Sequence, residues 1–124
     1  MKKFIFIVFA VLLVSSCQDE PSSIKIQNSL SDAVIRNAQW GTVRVASELL
    51  PGQRSEALHL DNYYNYYDIR LPNKFPVKFY VDVDGDRVYL QTRDSFRLGI
   101  EEDIVIIIDD DTEVFNQLLE EYNY

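Results

Sequence analysis

Scarcity does most of the sorting in this 124-residue chain. It holds one cysteine, Cys17, and one histidine, His59. A single cysteine rules out a disulfide within the chain, and the two residues together do not make a Cys/His zinc site. Cations are in deficit too: 12 Lys and Arg stand against 20 Asp and Glu, for a formal charge of −8. Nucleic acids and anionic headgroups attract proteins chiefly through phosphate, so the balance argues against either as an electrostatic partner. No apolar run is long enough to span a bilayer as a helix, which takes roughly 20 residues. The longest, Phe4 to Val14, has eleven residues.

The patterns of catalysis are missing as well. There is no Gly-x-Ser-x-Gly elbow, and a Ser-His-Asp arrangement would have to use His59, on the outer face of a predicted strand. No glycine-rich loop offers a phosphate cradle. Carboxylates abound, but no spacing singles out a pair suited to glycoside hydrolysis. Asp82, Asp84 and Asp86 surround Gly85, yet Gly85 comes before the third acid rather than after it, unlike a calcium loop. They read as an acidic hairpin. Asp109, Asp110 and Asp111 read as an acidic turn. The chain is therefore read as a non-enzyme, with no cofactor and no metal.

What is present begins at the N-terminus. Lys2 and Lys3 precede the apolar run, and Val14-Ser15-Ser16-Cys17 closes it. Basic, apolar and small segments in that order make a secretory leader. With Cys17 directly after the small residues, the segment resembles the lipobox of bacterial lipoproteins. The resemblance implies that residues 1–16 are a signal peptide, that Cys17 is diacylated on sulfur, and that its new amine is acylated after cleavage. One acyl chain binds a membrane reversibly, whereas two or more hold stably. Gln18-Asp19-Glu20 follows. In one sorting scheme an Asp after the cysteine retains a lipoprotein at the inner membrane. In Bacteroidota-type lipoproteins an acidic cluster there resembles the signal for export to the cell surface. The second scheme implies an outer-membrane anchor with the domain facing outward, and a periplasm-facing domain is the alternative. Residues 17–23, ending in Pro21-Ser22-Ser23, read as the lipidated cysteine and a short linker. They hold the domain close to the membrane.

Residues 24–124 carry strand signals. Ile24 and Ile26 alternate with Lys25 and Gln27. From Ala33 to Ala46 a long or bent strand changes phase, Ala38 and Trp40 on one parity and Val43 and Val45 on the other. Gly41 is placed at the irregularity and Trp40 in the core. Leu49-Leu50-Pro51-Gly52 predicts a type II turn. Leu58 and Leu60 face in, and His59 faces out. Tyr67, Ile69 and Leu71 share an inward parity, and Leu71-Pro72-Asn73-Lys74 reads as a turn. Phe75 to Asp84 alternates most cleanly, and Asp84-Gly85 turns it into Val88, Leu90 and Thr92. Phe96 and Leu98 make a short strand closed by Gly99. Ile104 to Ile108 are five β-branched residues in a row, a pattern that suits a strand covered on both sides or central in a sheet. The spacing of Val114, Phe115, Leu118, Leu119 and Tyr122 predicts a short C-terminal helix capped by Asp111 or Thr112, with a final strand through Val114 as the competitor.

Together these signals predict an all-β fold: an antiparallel, Ig-like β-sandwich of about seven strands, with a short C-terminal helix. The run from Trp40-Gly41 through Leu49-Leu50-Pro51-Gly52 to the isoleucine-rich strand is similar to small sandwich lipoproteins of Bacteroidota, a likeness that implies class and location but no activity. Asp61 to Asp68 is the one unusual surface stretch. Tyr63, Tyr64 and Tyr66 there are candidates for ligand binding, because tyrosine rings stack on sugars and pack at interfaces. The chain therefore reads as a membrane-anchored, non-catalytic envelope-structural or protein-interaction module, with an envelope protein as partner. Glycan binding through the tyrosines is the alternative.

Overall fold

The computed structural model describes residues 20–61 and 67–116. All regular structure among them is β. In chain order the strands are β1 (Ser22–Ser29), β2 (Val34–Trp40), β3 (Val43–Leu49), β4 (Leu58–Leu60) and β5 (Asn73–Phe75). They continue with β6 (Val77–Val83), β7 (Asp86–Thr92), β8 (Phe96–Leu98), β9 (Asp103–Asp109) and β10 (Val114–Asn116). One sheet has the order β4-β1-β9, a second β10-β7-β6-β2-β3, and β5 pairs with β8. The count exceeds the expected seven because the long strand divides into β2 and β3, and because β5 and β10, of three residues each, add to it.

The two larger sheets form a sandwich around one core. Alternation puts Ile24, Ile26, Ile106 and Ile108 on the inner face of one, and Ile35, Trp40, Val77 and Phe79 on the inner face of the other. Each such side chain stabilises the fold by about 1.5–3 kcal/mol when fully buried. Trp40 is wholly buried in the core, as expected. Its indole Nε1 donates to the Phe96 carbonyl at 2.9 Å, and its ring meets Phe75 edge-on at 5.0 Å. These contacts tie the small β5–β8 pair to the five-stranded sheet.

Several elements differ from the sequence reading. Gly41 lies in the turn of a tight hairpin between β2 and β3, not in a kink within one strand; Trp40 pairs with Val43 across it. A separate phase change lies inside β2 at Asn37, which takes φ +51° where the register with β6 shifts. That extra residue keeps Ile35, Ala38 and Trp40 on the same buried face. Phe75 belongs to β5 rather than to the long β6. Residues 67–71 form no strand; Ile69 and Leu71 are buried, but Tyr67 is exposed. The turn near Leu71 contains a cis peptide before Pro72. The predicted helix start at Asp111 or Thr112 is not formed, because Val114–Asn116 pairs with β7 as strand β10. Residues 117–124 lie outside the described part.

The hairpin of β6 and β7 is as predicted. Asp84 and Gly85 both have positive φ, as a two-residue turn of this twist requires, and Val83 pairs with Asp86. The turn at Pro51-Gly52 is also as expected, with Gly52 at φ +85° and Gln53 N–H donating to the Leu50 carbonyl at 2.9 Å.

The three-stranded sheet departs from a purely antiparallel plan. β1 pairs with β4 antiparallel but with β9 parallel, from Ser23 opposite Asp103 to Ser29 opposite Asp109. Ser22 and Ser23 are buried in β1 rather than lying in a linker. The Ser22 hydroxyl donates to the Gly99 carbonyl at 2.6 Å, and Ser23 Oγ donates to Asp103 Oδ1 at 2.6 Å. Small hydroxyls suit this position, because one finds a partner on the turn before β9 and the other on its first residue.

Candidate functional site

β9 is the feature that the sequence reading placed wrongly. It is neither central nor covered on both faces: it is an edge strand. Ile106 and Ile108 point into the core. Val105 and Ile107 point the other way and are 41% and 48% exposed. Ile100, just before the strand, is 54% exposed. A run of β-branched residues reports strand propensity; it carries no information about where that strand sits in the sheet.

The backbone of this edge can be followed from the ladder. In a parallel pair, alternate residues turn both N–H and C=O toward the neighbour. Ser23 N–H donates to the Glu102 carbonyl at 3.0 Å, so the even-numbered residues of β9 face β1. The N–H and C=O of Val105 and Ile107 therefore face away from the sheet, where no described strand pairs with them. Those of Asp109 are spent in the following turn. Its N–H donates to Thr112 Oγ1 at 2.9 Å, and its carbonyl accepts from Thr112 N–H at 3.1 Å.

The other edges contrast with this one. β1 is dressed on its far side by β4 and by the segment before it; Asn28 N–H donates to the Gln53 carbonyl at 2.8 Å, and Ser55 N–H to the Ile26 carbonyl at 2.8 Å. β4 and β10 are too short to template a partner. β3 is long but carries Arg44, Ser47 and Glu48, all exposed. Short or charged edges are how proteins prevent unwanted strand pairing. β9 has neither protection along its centre; its acids stand only at its ends, Glu101 and Asp103 at one and Asp109, Asp110 and Asp111 at the other.

At its C-terminal end β9 borders a cleft of about 330 Å³ between the sheets. Phe79, Val81 and Ile108 form its buried floor, Leu30, Val83, Leu90 and Val114 its walls, and Ser31, Asp32, Asp109, Asp110 and Thr112 its rim. Asp110 accepts from both the hydroxyl and the amide of Ser31, and these bonds hold its carboxyl below the usual carboxylate range.

The remaining sequence candidates fall elsewhere. Cys17 and Tyr63, Tyr64 and Tyr66 lie outside the described residues. His59 is exposed on the outer face of β4. Asp82 joins an ion-pair cluster: it accepts from Arg36 Nε and, at 3.0 Å, from Arg87 Nε, while Arg36 also reaches Glu48 at 2.8 Å. The bond to Arg36, then that to Arg87, holds Asp82 below the ordinary carboxylate range. Among the described residues no three of His, Cys, Asp or Glu come together to hold a metal ion.

The signal that could have exposed the β9 edge was its bounding acids, Asp103 and Asp109, which suit an edge rather than a buried centre. No protein-family model matches the chain, and no curated protein or solved structure does so either.

Proposed function

We propose that the chain is a lipid-anchored, non-catalytic lipoprotein of the bacterial outer membrane, facing the cell surface and serving as an envelope-structural or protein-interaction module. The anchor half of this reading rests on the order of Lys2-Lys3, the apolar run and Val14-Ser15-Ser16-Cys17. The interaction half is carried by one observation: a seven-residue strand whose outward backbone and apolar side chains are left open at a sheet edge.

The start of β1 sharpens the geometry. With Ser22 already in the sheet, four residues separate it from Cys17, and the five steps between them reach at most about 18 Å fully extended. The sandwich then stands nearly on the membrane. β9 runs parallel to β1, so it starts beside the anchored end of the domain, and the cleft lies at the far end of β1.

Fatty-acid labelling of the full chain in its native membrane tests the anchor. Label is expected on the wild type and absent from Cys17→Ser; an unlabelled wild type refutes anchoring. Protease shaving of intact cells is expected to remove the domain, and protection from it assigns the periplasmic face instead. The interaction half predicts that one envelope protein co-purifies with the wild type without added sugar. If instead the protein binds a glycan array and Tyr64→Ala abolishes that binding, the module reads sugars.

A further inference from the structure

The open edge of β9 specifies its partner more narrowly than an interaction module in general, and this inference rests on the reading just given. We propose that β9 accepts one extended strand from a different protein, a segment with an apolar, β-branched centre and basic residues at both ends.

The backbone sets the first requirement. Val105 and Ile107 present two N–H and two C=O groups in the plane of the sheet, and an extended segment satisfies them by adding a fourth strand beside β9. Beside that strand, Val105 and Ile107 offer an apolar stripe on the outer face, which favours valine, isoleucine or threonine directly opposite. The acids at the two ends set the second requirement. Asp103 is exposed at the start, and Asp110 and Asp111 are exposed just beyond the finish. A segment with lysine or arginine at both ends places opposite charges across from them.

The same charges oppose a second copy of this chain in the register that matches the two strands end to end. Two β9 strands paired antiparallel about Ile106 would set Asp103 of each against Asp109 of the other, a like-charge pair at both ends. Such pairs directly opposite destabilise a ladder. The formal charge of −8 on each copy opposes the encounter further. The edge is thus guarded against itself by its ends and left open in its middle.

The test uses the purified full chain and a synthetic peptide as long as β9, with lysine at both ends and alternating valine and threonine between. Binding is read by fluorescence anisotropy, and by hydrogen exchange of the Val105 and Ile107 amides. The account expects the peptide to bind and to slow exchange at those two amides. A glutamate-ended version binds on the order of tenfold more weakly, because two end pairs change sign. A version with methylated backbone amides does not bind. Val105→Pro removes an outward N–H without touching the ladder to β1, and abolishes binding; Val105→Lys keeps the backbone and weakens it. Should either variant fail to fold, the exchange of the wild-type amides decides alone.

Equal binding of the lysine- and glutamate-ended peptides overturns the proposal, as do unchanged exchange at Val105 and Ile107 or undiminished binding to a folded Val105→Pro. A dimer by light scattering that Val105→Pro dissolves also overturns it, because the occupant is then a second copy. An envelope partner that still co-purifies with folded Val105→Pro refutes the edge and leaves the module reading intact. If the wild type retains no partner, the module reading itself fails.

Discussion

Replacing Asn28 by Asp tests whether one buried amide organises the end of the sandwich beside the cleft. Asn28 is fully buried. Its Nδ2 donates to the carbonyls of Ala33 and Leu49, both at 2.8 Å, and its Oδ1 accepts from Leu30 N–H at 3.0 Å. It joins β1 to the start of β2 and the end of β3. Aspartate has the same shape but offers an oxygen where the amide offered two hydrogens. Two hydrogen bonds are lost at about 1 kcal/mol each, and two buried carbonyls keep their desolvation cost of about 1–3 kcal/mol each. With partial relaxation, a net loss of about 3–5 kcal/mol at neutral pH is expected, a large share of the 5–15 kcal/mol that holds a typical domain.

The loss carries a pH signature. Burial against two carbonyl oxygens disfavours the charged form, so the folded pKa of the new carboxyl lies above its unfolded value of about 3.9. The unfolded state then holds fewer protons in that window, and stability falls as pH rises between the two values. Below the unfolded value the protonated acid donates one of the two bonds again, and part of the loss is recovered. Urea unfolding of variant and wild type at several pH values gives the difference directly. A loss under about 1 kcal/mol, or one that does not change with pH, would refute the reasoning.

Other perturbations test other joints of the structure. Gly41→Ala puts a methyl at φ +62° within 2.7 Å of Phe75 Cγ, whereas Gly52→Ala at φ +85° meets nothing within 4 Å. The first is expected to cost roughly 2–4 kcal/mol and the second about 1–2 kcal/mol in urea unfolding, and equal costs would mean that Phe75 yields freely. Asp82→Asn removes a carboxylate held below its ordinary range by Arg36 and Arg87. The stabilisation from that carboxylate is present above the unfolded pKa and is lost as pH falls through the lower folded one. The variant should therefore show a shallower acid limb than the wild type, and superimposable acid limbs contradict the assignment.

How much was legible depended on whether a residue's partner lay nearby in sequence. The β6–β7 hairpin was readable because alternation and Asp84-Gly85 are local signals that agree with the tertiary fold. The phase change at Gly41 was also visible, but parity does not tell a bulge from a hairpin turn; the second shift, inside β2, was not read, and Asn37 absorbs it because asparagine tolerates positive φ. Ser22 and Ser23 looked like linker because their partners, Gly99 and Asp103, lie some 80 residues away. The tail spacing from Val114 suits a helix, yet its first residues, Val114–Asn116, pair with β7 as the competing strand. The isoleucine run hid the open edge for the same reason: strand order is a property of the whole sheet, Ile104 to Ile108 read alike at its centre and at its rim, and only the bounding acids Asp103 and Asp109 hinted at the edge. Cys17 was singled out by its place in a lipobox-like segment and Tyr63, Tyr64 and Tyr66 by their chemistry, and all four lie outside the described residues.

Photo-crosslinking in intact cells tests the central claim most directly. A photoreactive residue replaces Ile107 on the open edge or, as the control, His59 on the opposite edge strand. The account predicts a crosslink from position 107 to an extended segment of one envelope protein, basic at both ends, and none from position 59. Crosslinks to the same protein from position 59 alone, or to a second copy of this chain from position 107, would contradict it.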